Sequence, residues 1–373
     1  MRGSASRSDT SVGSARRSAP RSTAARANGN RVHVIAATVR LAQGGDTPPR
    51  RAHAHGGSAP SLLNVTRSPL ALAALATVAV PGLDVFDVRR PPHIGSDYDI
   101  AIVIDSERRR WYVRAPITAV AGAALEAEVT LLDAMAESLD ADALPFVFPR
   151  PAGFAHLPEG GRAVVYRSLP GQSLRLDVLG PGPGLSASLG RAIASIHELP
   201  IAIVENAGLP VYDAETYRQR RLTEVDEAAK TGKVPASLLR RWENALENVA
   251  ICRFRPTVVH GDLTADHVLT GGSEVTGILG WSEAKVADPA DDLAWLLVAA
   301  PRDAVDSITE AYALRRMEFS DPHLTERAHL AGELALARWL LHGVRTENEE
   351  IIDDAVAMLA DLEDYVADAL TTT

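Results

Sequence analysis

The chain of 373 residues has one cysteine, Cys252, so it carries no internal disulfide framework and no multi-cysteine zinc or iron–sulfur site. A lone thiol suits a reducing, cytoplasmic setting. No P-loop pattern GxxxxGK(S/T) occurs, and no GxSxG nucleophile elbow. Gly180-Pro-Gly-Pro-Gly184 is a proline-rich turn, not a dinucleotide loop. Internal repeats are absent. The apolar stretch Ser68 to Val80 falls short of the roughly 20 residues that cross a bilayer, so no membrane segment is expected. Lysine is missing from residues 1–59, where ten Arg stand against two Asp, a net +8. With −10 for the whole chain, the remainder carries −18. That acidity argues against nucleic acid as a partner, because phosphate binding needs a basic surface.

What is present divides unevenly. Residues 1–64, rich in Ser, Ala, Gly, Arg and Pro, lack apolar periodicity. They are expected to be a disordered basic extension without a catalytic part. Ser68 followed by Pro69 reads as the cap and first turn of a packed helix. Strand-like runs follow at Val85 to Arg89, Tyr98 to Ile104 and Trp111 to Arg114. A helix from Ala119 to Leu139 carries Leu125, Val129, Leu132 and Met135 on one face. Another strand, Ala163 to Tyr166, ends at Leu169-Pro-Gly171. The predicted order is strand, strand, strand, helix, strand. Beyond Leu185 helices dominate, with Leu189, Ile193 and Ile196 marking one and Leu238 to Val249 another. A β segment interrupts them: Thr257 to Val259, Val268 to Leu269, and Val275 to Leu279 across Gly271-Gly272. Helical patterns then run from Asp291 onward.

That hairpin is the most informative stretch. It reads His260-Gly261-Asp262-Leu263-Thr264-Ala265-Asp266-His267, then Gly277-Ile278-Leu279-Gly280-Trp281-Ser282-Glu283-Ala284-Lys285, then Asp288-Pro289-Ala290-Asp291-Asp292. A tight loop projects the Asp262 carboxylate beside a strand. His267 stands where loop meets strand, and the return strand brings position 280 back beside them. Phosphoryl transfer uses such a cluster: a carboxylate to orient or deprotonate a hydroxyl, and ligands for metal-bound phosphate.

The pattern HGDxxxxH, followed by GxxxWSEAxxxDPAxD, resembles the aminoglycoside-type antibiotic kinases. More narrowly it resembles the macrolide 2′-phosphotransferases, through His267 and the run Trp281 to Lys285. The resemblance covers about residues 68–370 and has further landmarks in order. Trp111-Tyr-Val-Arg114-Ala-Pro116 is similar to the third strand, Leu125-Glu-Ala-Glu128 to its partner helix, and Ser188 to His197 to the helix before the catalytic loop. It implies an α+β, bilobal protein-kinase-like fold, with a β-rich nucleotide-binding lobe at 65–170 and a catalytic and substrate-binding lobe at 171–373. It implies that Asp262 orients the acceptor hydroxyl or takes its proton, and that His267 binds magnesium or holds phosphate. Arg114 would contact the α/β-phosphates, oriented by Glu128. Tyr166, Ser168 and Leu169 would line the purine site, and the loop from Gly95 to Tyr98 would lie over the phosphates. The implied reaction moves the γ-phosphate of GTP (or ATP), with Mg2+, to the 2′-hydroxyl of a macrolide amino sugar, by a monomer. An acidic body suits such a cationic drug.

One position departs from the pattern. Kinases of this type carry a metal-chelating Asp where this chain has Gly280, and glycine supplies no ligand. Metal stabilisation of a transferring phosphate is worth several kcal/mol. Three readings stay open: crippled turnover, metal held instead by Glu283 or Asp288, or nucleotide and drug binding without transfer. The competing activity is a kinase for another small alcohol, such as an aminoglycoside. Plainer roles stand beside the sharp ones. Asp288 before Pro289 reads as a turn carboxylate. Glu126 competes with Glu128, because either could lie on a solvated face. Trp281, Trp295 and Trp339 read as core, and His197 as structural.

Overall fold

The computed structural model describes residues 67–91, 97–138, 144–316 and 321–371. The expected extension at 1–64 and Gly95 lie outside the described residues. Helix α1 (Pro69–Ala79) starts where Ser68 caps it, its Oγ accepting from the Ala71 N–H at 3.2 Å, with proline in the first turn. Strands β1 (Val85–Arg89), β2 (Tyr98–Asp105) and β3 (Arg110–Pro116) form an antiparallel meander. Helix α2 (Ala119–Ser138) follows, then β4 (Pro151–His156) and β5 (Arg162–Arg167). The five strands pair in the order β1-β2-β3-β5-β4.

Strand alternation gives this sheet two faces. Ala101, Val103, Trp111, Val113, Ala115, Ala163 and Val165 pack against Leu72, Ala73, Ala76 and Ala79 of α1. The opposite face presents Tyr98, Tyr112, Arg114, Val164 and Tyr166 toward α2, whose Leu125, Val129, Leu132 and Met135 are buried as their spacing predicts. Burying each such side chain contributes about 1.5–3 kcal/mol.

β4 corrects the predicted order: a strand lies between the helix and β5. Its sequence, Pro-Ala-Gly-Phe-Ala-His, has no β-branched residue and so gave no strand signal. Pairing to β5 and a close approach to α1 hold it. A side chain at Gly153 would run into the Ala79 carbonyl.

The rest of the chain is mainly helical. β6 (Gln172–Ser173) is followed by α3 (Leu185–His197), α4 (Ile201–Asn206), α5 (Ala214–Lys230) and α6 (Ala236–Glu247). Then come β7 (Thr257–Val259), β8 (Val268–Gly271), β9 (Glu274–Ile278) and β10 (Lys285–Ala287). Helices α7 (Ala290–Ala299), α8 (Arg302–Arg315), α9 (Leu324–Arg345) and α10 (Glu349–Thr371) complete the described chain. β8 and β9 form the predicted hairpin, turning at Gly272 with φ +65°. β7 pairs not with the hairpin but with β10. One core joins α2, α3, the hairpin, α7 and the inner sheet face, with Trp281 and Trp295 inside it as expected. A second core lies among α5, α6, α9 and α10, where Trp339 packs half-buried, its indole donating to Asp354 at 3.0 Å. Among the described residues no helix is long and apolar enough to cross a membrane.

Candidate active site

The chain leaves β7 at Val259 and turns through His260, Gly261 and Asp262. Gly261 adopts φ +83°, and a side chain there would meet the Glu283 carbonyl and stand 2.6 Å from the Lys285 ammonium. Glycine therefore lets the loop lie flat against the segment leading into β10. The loop's backbone is held by a carboxylate from α7. Asp292, 0% exposed, accepts the His260 N–H at 2.7 Å and the Gly261 N–H at 2.8 Å. Asp292 is steadied in turn by His197 at the end of α3, which donates from Nε2 at 3.2 Å. The Tyr312 hydroxyl of α8 donates to His197 Nδ1 at 2.8 Å. His197 is structural, as expected, and its task is to hold the carboxylate that holds the loop. Asp292 and Tyr312 were not singled out from sequence; the Asp-Pro-Ala-x-Asp run was the available signal for Asp292.

His260 donates from Nε2 to the Leu279 carbonyl at 2.7 Å and accepts the Asp262 N–H on Nδ1 at 3.3 Å. Both bonds together require the neutral ring. Burial, with the nearby His267, lowers its pKa to about 4. His267 closes a short turn, Ala265–His267, and donates from Nδ1 to the Asp262 carbonyl at 2.6 Å. Its own carbonyl accepts the Leu279 N–H at 2.8 Å. Asp262 Oδ2 lies 3.9 Å from His267 Nδ1. The hairpin thus brings 262, 267 and 280 together, as its spacing predicts. Burial raises the Asp262 carboxyl well above the usual carboxylate range, Glu283 adds to the rise, and Lys285 opposes it. A partly buried carboxylate raised above its ordinary range suits a general base.

At the other end, Arg114 on β3 pairs with Glu128 on α2 at 2.7 Å, and Glu128 is 2% exposed. Glu126 instead pairs with Arg162 at 2.6 Å on the half-exposed side. The choice between the two glutamates is thereby settled: Glu128 is the one at Arg114. The Arg114 guanidinium also lies 4.3 Å from the Tyr98 ring centroid, and the Tyr98 hydroxyl donates to the Ala121 carbonyl at 3.1 Å. Tyr98 opens its strand as the sequence predicts, and there its ring lies against Arg114, a contact the sequence gave no sign of. Tyr166 is buried, and the charges of Glu128 and Arg114 act on its hydroxyl. Ser168 donates its N–H to the Arg110 carbonyl at 2.9 Å, and Leu169 packs toward Gly277 of β9. The charges of Arg114 and Glu128 act on the His267 ring.

Position 280 decides what the site can hold. Gly280 has φ +80°, and a Cβ there would lie 2.6 Å from His267 Nε2 and 2.7 Å from Cδ2. Asp288 is no substitute ligand. Arg327 binds it at 2.7 Å, and its other oxygen accepts the Ala290 N–H at 3.0 Å. The turn role expected for Asp288 therefore stands, and the metal alternative at that residue falls. Among the described residues no group of three or more His, Cys, Asp or Glu is arranged to hold a metal ion. Mg2+ takes oxygen ligands in strict octahedral geometry. One imidazole nitrogen beside a glycine does not fit it.

A sequence profile of the phosphotransferase enzyme family matches residues 89–330. The uncharacterized protein YcbJ of Bacillus subtilis (strain 168) is 26% identical over 208 residues, 53% of this chain and 66% of that protein. The matched stretch therefore spans just under two thirds of that relative. A solved macrolide 2′-phosphotransferase type I superposes with a TM-score of 0.63 at 26% identity, covering 74% of this chain and 92% of that one. The GDP complex of wild-type aminoglycoside 2′-phosphotransferase-IIIa gives a TM-score of 0.66 at 20% identity over 80% of this chain and all of that one. The loop carrying Asp262 and the Arg114–Glu128 pair fall within the profile match, and the chain belongs to the phosphotransferase enzyme family.

Proposed function

We propose that this chain transfers the γ-phosphoryl group of GTP, with ATP as the other donor, to the 2′-hydroxyl of a macrolide amino sugar. Such a cytoplasmic activity confers antibiotic resistance. The observation that carries the reading is Asp262: a partly buried carboxylate on a loop whose backbone Asp292 fixes, five residues before His267. His267 and the Trp281 to Lys285 run, with the likeness to a macrolide 2′-phosphotransferase at 26% identity, favour a macrolide as acceptor.

In this reading residues 65–170 bind the nucleotide and residues 171–373 supply the loop and the drug pocket. Arg114, held in plane by Glu128 and Tyr98, contacts the α/β-phosphates, and Tyr166, Ser168 and Leu169 border the base. Asp262 accepts the proton of the 2′-hydroxyl as its oxygen attacks the γ-phosphorus. The P–O bond to the nucleoside diphosphate breaks, and the diphosphate leaves. The raised Asp262 carboxyl makes that proton transfer less uphill than it is for an exposed aspartate. Magnesium is implied by the resemblance, but the donor set at 267 and 280 does not fit it, and no step is derived through a metal.

Gly280 supports a second reading, in which the protein binds nucleotide and drug without transfer. The test is incubation of the purified chain with radiolabelled GTP or ATP and erythromycin, with kanamycin in a parallel reaction. Phosphorylated erythromycin supports the first reading. Labelled kanamycin with unlabelled erythromycin moves the assignment to the aminoglycosides, and nucleotide binding without either product supports the second.

A further inference from the structure

Glycine at position 280 is more than a missing ligand. Its left-handed backbone turns the chain beneath the His267 ring, and the ring fills the volume that a side chain at 280 would need. Three ring atoms, Nε2, Cδ2 and Cε1, lie within 2.9 Å of the Cβ position. The ring is fixed from the other side by its bond to the Asp262 carbonyl at 2.6 Å. It is also fixed through its backbone, whose carbonyl accepts the Leu279 N–H at 2.8 Å. His260 stands 5.5 Å away, ring to ring, with both nitrogens already bonded. A carboxylate at 280 and the imidazole in this place therefore exclude each other: admitting one means releasing His267 from the loop that carries Asp262.

We propose that His267 and Gly280 form a mutually dependent pair that leaves no carboxylate at 280 for Mg2+, so that this chain holds nucleotide phosphates through its fixed positive charges and without a protein-bound Mg2+. The inference rests on the nucleotide-binding reading above. The ring turns Nε2 toward Gly280, away from the Asp262 bond. With Nδ1–H committed to the Asp262 carbonyl, Nε2 is a lone-pair acceptor that donates nothing to phosphate, so the ring's part is to occupy the place of a ligand at 280. Fixed positive charge comes from Lys285, whose ammonium stands against the Gly261 backbone, and from Arg114, whose charge acts on the His267 ring. Such charges neutralise phosphate without the octahedral oxygen shell that Mg2+ demands. A lone imidazole ranks far below carboxylate and water as a partner for that ion.

The test uses the full chain and four proteins: the parent, Gly280→Asp, His267→Asn, and the double variant. GTP and ATP affinities are measured by titration calorimetry in EDTA and in excess MgCl2, and Tm is measured without nucleotide. The parent is expected to bind nucleotide equally well in both buffers. Gly280→Asp alone is expected to lower Tm, since the new side chain and the ring compete for one volume. The double variant is expected to recover Tm and to bind nucleotide about tenfold or more tightly in Mg2+, equivalent to about 1.4 kcal/mol. Parent affinity that already rises about tenfold with Mg2+ overturns the inference and leaves the phosphotransfer reading intact. Gly280→Asp that melts with the parent and gains Mg2+ dependence on its own also overturns it, because the ring is then not in the way. A parent that binds neither nucleotide in either buffer overturns the phosphotransfer reading together with the inference; the Tm comparison still reports whether the two side chains exclude each other.

Discussion

The two ends of the site are held by different physics. At the sheet end, Arg114 on β3 is gripped by side chains from two elements: Glu128 of α2 and the Tyr98 ring of β2. At the hairpin end, Asp262 and His267 are positioned mainly through backbone. Glycines at 261 and 280 let strands approach closely, and Asp292 binds main-chain N–H groups. The first arrangement keeps a charge in place by pairing it. The second keeps a carboxylate in place while leaving its side chain available. The contrast suits their chemistry: a phosphate clamp has to stay charged, whereas a proton acceptor has to change charge.

The sharpest break in the comparison is Asp262→Asn. Turnover should fall about 10²- to 10⁴-fold, as for loss of a general base. Nucleotide affinity should hold, because the loop backbone does not depend on that side chain; equal turnover in a radiolabel assay would remove Asp262 from the chemistry. Glu128→Gln attacks the other end, leaving a buried guanidinium without its charge partner. A cost of about 3 kcal/mol is expected, at the low end for a buried pair because Arg114 keeps 18% exposure. It should appear as a lower Tm and a raised nucleotide KM.

Asp292→Asn weakens two bonds to the loop, and bonds to a charged acceptor contribute about 1.5–3 kcal/mol each. Its signature should be a fall in kcat with little change in nucleotide affinity, the reverse of Glu128→Gln. If both variants lose nucleotide affinity alike, the two ends are not held independently. Tyr98→Leu removes the aromatic shelf under Arg114, a contact worth about 0.5–2 kcal/mol, whereas Tyr98→Phe keeps it. The leucine variant should raise nucleotide KM several-fold and the phenylalanine variant should stay near the parent.

The smallest effect is on pH dependence. Asp262 works as a base only when ionised, so kcat/KM should rise with pH through its elevated pKa. Lys285 favours the ionised form, so Lys285→Gln should push that limb to higher pH. Glu283 opposes ionisation, so Glu283→Gln should bring the limb down. Movement of both limbs in one direction would contradict the charge arrangement described here.

The fold was legible where periodicity was strong. The α1 cap, the α2 face, the meander and the Gly271-Gly272 hairpin all rest on short-range spacing. β4 was not legible, because pairing and a glycine contact hold it rather than strand-forming residues. At the site, the sequence singled out Asp262, His267 and Gly280 by spacing. It favoured Glu128 over Glu126 only by the Leu131-Leu132 spacing, although the two project about 160° apart around one helix. Docking against β3 and β5 fixes that choice, giving Glu128 to Arg114 and Glu126 to Arg162.

By itself, the sequence determined the order of elements around the hairpin, the carboxylate on its loop and the absence of a ligand at 280, since each is a matter of residue identity and local spacing. Only the tertiary structure decided that Asp288 belongs to Arg327, that Asp292 holds the loop, and that the His267 ring lies where a residue at 280 would put its side chain. Those are questions of which atoms share a volume. Volume in a packed site is set by chain segments far apart in sequence.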